Sequence, residues 1–240
     1  MVYKLARYFL GYAQNFRQVP KEFHIQEQAM LNDHALFNMM IKSGIPLNTV
    51  WDIGAHSGQW TRRVSKFRCM KKSQFVMFEA NPVHQAALQE TGFPYIIGLL
   101  GATTGQTNFW SIGGTGDSTY KELTSTYEDT DPIVLPVLTL DQICAEQSLS
   151  QPDFIKIDVQ GAEIDVLRGA SKIANGVSAI QCEVSLMEYD QNGPDFSTVT
   201  KFMSDLGLVP YSIFEGHWHE NQLVQLDILF VAHRWLKFLP

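Results

Sequence analysis

Four acidic side chains stand where chemistry on a bound small molecule would need them. Asp52 falls near the end of the run Thr49-Val50-Trp51-Asp52-Ile53, and the turn behind it, Gly54-Ala55-His56-Ser57-Gly58, carries two glycines. Glycine tolerates positive φ and lets a ligand come close to the main chain. The helix expected after the turn opens with N–H groups that its own carbonyls cannot satisfy. Glu79 follows 21 residues after Gly58, at the end of the next apolar run. A carboxylate there can accept hydrogen bonds from both hydroxyls of a ribose. Dinucleotide binders use G-x-G-x-x-G and seat a pyrophosphate on the helix start. Here only Gly54 and Gly58 are present, and Asp52 before them repels an anion and favours a cofactor with an ammonium group. The expected cofactor is S-adenosylmethionine, with Asp52, Gly54, Ala55, His56, Gly58, Glu79, Ala80, Asn81 and Leu100 around it.

The other two acids are candidates for the reaction. Asp158 closes Phe154-Ile155-Lys156-Ile157, and Glu183 lies near the end of the apolar run 177–184. Were a cofactor of this kind to give up its methyl, the step would be an in-line displacement, so an acceptor atom must be aligned and any proton on it removed. Asp158 is the first candidate base and Glu183 the second. Equally, Asp158 could hold the cofactor amine or cap a helix, and Glu183 could accept backbone hydrogen bonds. Two neighbouring carboxylates can also share a divalent cation through oxygen ligands; a cation is possible on that ground, but no metal site is predicted. Glu163 stands at a helix start, where the dipole favours it. His217 and His219 flank Trp218 in a late segment that reads as a base or acceptor platform, or as a surface turn. The stretch 113–120 (GGTGDSTY) suits an acceptor-binding flap or a plain surface loop.

These residues need a scaffold that brings strand ends together. Residues 26–43 place Met30, Leu31, His34, Phe37, Met40 and Ile41 at helical spacing, closed by Gly44 and Pro46. Short buried strands are predicted at Thr49–Ile53, Gln74–Phe78, Tyr95–Leu99, Phe154–Asp158 and Val177–Val184, with helices at 59–67, after Asn81-Pro82, through Leu167, and at 196–206. A short strand at Val137–Leu140 precedes a helix that Asp141 caps. Strands alternating with helices predict an α/β chain: a mostly parallel, doubly wound sheet of Rossmann-like type. Tyr211–Phe214 and Leu226–Val231, with no helix between them, predict an antiparallel edge hairpin. In such sheets ligands sit at the carboxyl ends of the strands, at the switch point. The expected division is an N-terminal helical segment, 1–47, before a cofactor-binding domain, 48–240.

The totals agree with that reading. A chain of 240 residues with 45% hydrophobic and 18% charged side chains can bury one large core without staples. The net charge of -7 disfavours a nucleic-acid partner. Three widely spaced cysteines fit neither a disulfide framework nor a zinc site. Their reduced state, the lack of a signal-peptide pattern in MVYKLARYFL and the lack of a long apolar run lead to the expectation of a cytoplasmic protein without a membrane span.

Five segments together resemble the FkbM family of methyltransferases: VWDIGAHSGQW at 50–60, FEANP at 78–82, VLTLD at 137–141, DFIKIDVQGAEIDVLRGA at 153–170 and QLVQLDILFV at 222–231. The resemblance implies a Rossmann-like methyltransferase fold and O-methylation of a hydroxyl on a sugar, glycoconjugate or other small acceptor. The family commonly has Glu where this chain has Gln160. A carboxylate with a chemical or metal-binding role would be lost here, whereas one that only makes hydrogen bonds can be replaced by Gln. Two other readings stay open at this point: an NAD-dependent oxidoreductase, and a non-catalytic binding module on a methyltransferase fold.

Overall fold

A computed structural model describes residues 33–112, 116–121, 123, 130–187, 191–219 and 221–236. Residues 33–42 form the first helix, α1. There follow β1 (Thr49–Ile53), α2 (Gln59–Val64), β2 (Gln74–Glu79), α3 (Gln85–Gln89), β3 (Tyr95–Ile97), β4 (Leu99–Leu100), β5 (Gly105–Phe109), β6 (Ile133–Leu138) and α4 (Leu140–Gln147). The chain continues through β7 (Phe154–Ile157), α5 (Glu163–Arg168), α6 (Ser171–Ala174), β8 (Ala179–Ser185), α7 (Phe196–Asp205), β9 (Leu208–His219) and β10 (Gln222–Ala232).

Seven strands make one sheet in the order β3-β2-β1-β7-β8-β10-β9. The pairs from β3 through β8 are parallel, and β10 is antiparallel to both β8 and β9. The chain winds outward from β1 to β3, then returns to β7 on the other side of β1. The switch point therefore lies between β1 and β7, where ligands of open α/β sheets bind. This is the Rossmann-like methyltransferase fold with an antiparallel hairpin at its edge. The hairpin strands are longer than the sequence suggested; β10 pairs with β8, and β9 is the outer edge strand.

The central strands read as continuous apolar runs because both faces are covered. Every residue of β1 and of β8 is buried. One face packs Trp51, Ile53, Ile155, Ile157, Ile180, Cys182, Ile228 and Phe230 against α4 through α7. The other packs Val50, Phe75, Phe154, Ala179, Leu229 and Val231 against Leu36, Phe37 and Met40 of α1 and Val64 of α2. On this second face the apolar rows end halfway up the sheet. Asp52 stands beside Lys156 and Lys156 beside Gln181, and one row higher Glu183 faces Asp227.

A second sheet, β4-β6-β5, sits past β3. The strand expected over Tyr95–Leu99 is thus two strands in two sheets, parted at Gly98, whose N–H donates to the Glu79 carbonyl. The stretch 101–135 supplies β5 and the start of β6. Asp141 does not cap its own helix. Thr139 does, through Oγ1 to the Gln142 N–H at 3.2 Å, while Asp141 accepts from Ser171 Oγ and the Lys172 N–H at the start of α6. The helix after the glycine turn stops at Val64, followed by a 3₁₀ turn at Arg68–Met70. Of the N-terminal segment expected over 1–47, residues 33–42 are helical, and residues 1–32 lie outside the described residues. Among the described residues no helix is long and apolar enough to cross a membrane.

Candidate active site

A cavity opens at the carboxyl ends of β1, β2 and β7. Gly54, His56, Phe78, Glu79, Ala80, Leu99, Leu100, Asp117, Ser118, Asp158 and Gln160 are among its lining. Of the residues expected around the cofactor, Gly54, His56, Glu79, Ala80 and Leu100 therefore meet there. Asp52, Ala55, Gly58 and Asn81 stand behind the wall.

Glu79 ends β2 with its carboxylate fixed by the main chain. The His56 N–H donates to Oε2 at 2.7 Å and the Asn81 N–H to Oε1 at 2.8 Å. Each oxygen keeps a second acceptor site. Such a carboxylate is pre-oriented for a pair of ribose hydroxyls, and the neighbouring Phe78, Ala80, Leu99 and Leu100 offer apolar surface for a planar base. These residues fit an adenosine group. Asn81 works one step back: its Oδ1 caps the turn that follows, at Val83, and its Nδ2 donates to Asp117 Oδ2 at 2.6 Å.

The two glycines answer to packing before they answer to a ligand. Gly54 has φ +75°, and a Cβ there would lie 1.8 Å from the Asp158 carbonyl oxygen. The first turn is thus pressed against the turn that follows β7. Gly58 has φ +73° and opens α2, where a Cβ would meet Thr91 Cγ2 at 2.8 Å. His56 and Gln160 also hold left-handed backbones, at φ 50° and 54°. Two non-glycine residues in that region on one cavity mark turns whose shape the surrounding structure enforces.

Asp52 differs most from its sequence reading. It is wholly buried, accepts from Thr61 Oγ1 at 2.7 Å and lies 3.7 Å from Lys156 Nζ. Burial pushes its carboxyl up, and the Lys156 ammonium and the Thr61 hydroxyl counter only part of that. Its charge is aimed at Lys156, one strand over, and not at the cavity. Lys156 is a residue the sequence reading passed over. Its signal was a lysine in the middle of a buried strand, which needs an acidic partner.

Lys156 Nζ also donates to Asp158 Oδ2 at 3.1 Å, and Gln160 Nε2 donates to Asp158 Oδ1 at 2.7 Å. Burial raises the Asp158 carboxyl, but Lys156 and Gln160 together outweigh it and hold the group below its ordinary range. A carboxylate so stabilised is a weak proton acceptor and a good counter-ion for an ammonium. Glu183 does not reach the cavity. Its Oε1 accepts from Gln225 Nε2 at 2.7 Å, and its Oε2 lies 3.5 Å from His217 Nε2. His217 and His219 belong to β9 and not to a loop. Asp227 beside His217 lifts the imidazole above its ordinary range against partial burial.

Glu163, at the start of α5, is almost fully buried and accepts from the Val159 and Gly161 N–H groups at 3.2 and 3.3 Å. Burial lifts its carboxyl to about 7. The described part of the stretch 113–120 is a pinned wall: Asp117 Oδ1 accepts from the Ile112 N–H at 2.8 Å, Ser118 Oγ donates to the Gln160 carbonyl, and Tyr120 OH donates to Asp165 at 2.7 Å. Gly113 and Gly114 lie outside the described residues.

The Methyltransferase FkbM domain family matches residues 52–209. The hexuronic acid methyltransferase AglP of Haloferax volcanii is 22% identical over 205 residues, which is 82% of this chain and 79% of that one. The 2-O-methyltransferase NoeI of Sinorhizobium fredii is 27% identical over 161 residues, 60% of this chain and 65% of that one. The chain thus spans just under two thirds of the second relative. Among solved structures, a methyltransferase FkbM from Methylobacillus flagellatus KT aligns with a TM-score of 0.49 at 15% identity, covering 75% of this chain and 43% of that longer one. A magnesium protoporphyrin IX methyltransferase from Synechocystis PCC 6803 with bound SAM gives 0.47 at 11%, over 92% and 91%.

Proposed function

The chain belongs to the FkbM methyltransferase family, an S-adenosylmethionine-dependent enzyme by that membership, and we propose that it methylates a hydroxyl of a sugar or glycoconjugate. The activities of the two relatives, on a hexuronic acid and at a 2-O position, support the acceptor class. The observation that carries the cofactor assignment is Glu79, held by two main-chain N–H groups at the rim of an otherwise apolar wall.

The cofactor supplies a methyl group on a positively charged sulfur, which leaves with the bonding electron pair when an acceptor oxygen attacks in line. This chain's residues do the rest. Glu79 would hold the ribose, Phe78, Ala80, Leu99 and Leu100 would flank the base, and the main chain at Gly54 and His56 would close the near side. Asp158 places a stable negative charge where the cofactor's ammonium end would lie, a role its depressed carboxyl suits better than that of a base. The acceptor approaches from the side of β8 to β10, where Glu183, His217 and Asp227 gather.

Calorimetry with S-adenosylhomocysteine tests the cofactor site. The folded wild type should bind it, and Glu79→Ala should weaken binding at least tenfold, about 1.4 kcal/mol. No heat with folded wild-type protein would sink the assignment. Transfer of a labelled methyl to hexuronic acids and oligosaccharides tests the acceptor, and labelling confined to non-sugar hydroxyls would refute that class.

A further inference from the structure

We propose that Glu183, His217 and Asp227 form a binding site for one divalent metal ion beside the cofactor cavity. One donor atom from each lies within 4.8 Å of the others. His217 Nε2 stands 3.5 Å from Glu183 Oε2 and 3.8 Å from Asp227 Oδ2. The first is at the outer limit of a hydrogen bond and the second is beyond it. They match the separation of two donors on one ion, since bonds of about 2.1 Å at a tetrahedral angle put donor atoms roughly 3.4 Å apart. His217 Nε2 is shielded from solvent and has no hydrogen-bond partner among the described residues. An imidazole nitrogen that faces two carboxylates only at ion-pair distance is poorly satisfied where it is shielded from water, and a cation seated between the three groups would satisfy them together.

The backbone independently shows that this arrangement is built. At the hairpin tip Leu223 pairs with Trp218. Carried on at that spacing, His217 would face Val224 and point to the opposite side of the sheet, because a one-residue slip exchanges the faces of a strand. A register shift between Leu223 and Gln225 sets His217 opposite Gln225 instead, and a second shift between Leu226 and Ile228 restores the original spacing. The paired irregularities turn over a short stretch of β9 and bring His217 onto the face that carries Glu183 and Asp227. Bulges that re-aim one side chain recur beside functional sites.

The rest of the face suits a cation. Gln225 Nε2 donates to Glu183 Oε1 at 2.7 Å, orienting the carboxylate with Oε2 toward His217. Gln181, two residues before Glu183 on the same face, is 7% exposed, and its Oε1 has no partner among the described residues. That oxygen can receive a hydrogen bond from a water on the ion. Lys156, on the neighbouring strand β7, is already engaged by Asp52 and Asp158. With neutral imidazole the two carboxylates carry two negative charges, which one divalent ion balances. A mixed nitrogen and oxygen donor set favours zinc or manganese over calcium. The site lies one strand from Asp158, on the side assigned to the acceptor, so a metal there would hold an acceptor's hydroxyl oxygens and acidify them. That role rests on the O-methylation reading, whereas the metal site does not.

Titration of the metal-stripped full chain with Mn²⁺ and Zn²⁺ at pH 8, by calorimetry and by the loss of free Mn²⁺ resonance signal, tests the site. One equivalent should bind, and His217→Ala and the near-isosteric Glu183→Gln and Asp227→Asn should each weaken it tenfold or more. Adenosylhomocysteine affinity, measured on the same samples, should stay within twofold and shows that each variant is folded. A wild type that takes up neither metal, or folded variants that bind as tightly as wild type, would overturn the proposal. Failure of the wild type to bind adenosylhomocysteine while it takes up the metal would instead strike the functional reading alone.

Discussion

Gln160 donates from Nε2 to Asp158 Oδ1 at 2.7 Å, from a left-handed backbone at φ 54°. The family pattern would place Glu there. In this chain a Glu would set a second negative charge against Asp158 in place of a donor. Gln160→Glu should therefore raise the Asp158 carboxyl, because it exchanges a favourable hydrogen bond for like-charge repulsion. Asp158 is 40% exposed at its side chain, so solvent screens the effect, and the stability loss should be about 1 kcal/mol at pH 8 and less at pH 5. Melts at the two pH values measure it, and an equal loss at both would contradict the electrostatic cause.

Glu163 carries the second prediction. Its carboxyl is ordinary, near 4.5, in the unfolded chain and stands at about 7 when folded. Between these values the folded protein keeps a proton that the unfolded chain has released. Stability therefore falls as pH rises through that window, and the whole penalty, on the order of 3 kcal/mol, is present above pH 7. Glu163→Gln should flatten the curve of melting temperature against pH between about 5 and 8 and leave the variant the more stable at pH 8. Parallel curves for the two proteins would show that Glu163 does not titrate there.

Asp52→Asn removes a buried charge opposite Lys156 while keeping an acceptor for Thr61. The lysine retains Asp158, so the loss should be about 3 kcal/mol, at the lower end for a broken buried pair. Denaturant melts with unchanged m-value are the measurement. A loss under about 0.5 kcal/mol would mean that Asp52 is already neutral in the folded protein.

The two glycines of the first turn should respond unequally. Gly54→Ala drives a Cβ into the Asp158 carbonyl, backbone against backbone, whereas Gly58→Ala meets a side-chain methyl, Thr91 Cγ2, at 2.8 Å. Gly58→Ala should cost about 1–2 kcal/mol from its positive φ, and Gly54→Ala should fail to give folded protein. Near-equal melting temperatures would refute the packing explanation.

The sequence reading reached the sheet because its strands are unbroken apolar runs set between helical periods, and the Gly54–Gly58 turn and Glu79 marked the sheet edge where the cavity opens. It missed what depends on pairing between distant strands. Asp52 looked like a ligand for a cationic cofactor because its partner, Lys156, lies more than a hundred residues away, and only the β1–β7 register sets them side by side. His217 looked like part of a surface turn because the bulges that turn it inward carry no sequence signature. Asp141 follows the usual rule for a helix start, yet Thr139, two residues earlier, takes the cap, and Asp141 serves the neighbouring helix instead. The periodicity of one element shows which face is buried, but not which polar group on that face meets which.

The break at Gly98 has a consequence for motion. Glu79 belongs to the large sheet and Leu99 and Leu100 to the small one, so the two walls of the cavity are hung on separate sheets, linked along the chain at Gly98 and by the packing of Leu100 and Leu138 on the large sheet's core. A ligand lodged between them braces one sheet against the other. Phe109, at the end of β5, lines the cavity, but the amides of 105–107 and of 133–136 lie outside that lining and should exchange more slowly with solvent when the cavity is filled than when it is empty, reporting occupancy through the stiffness of the small sheet.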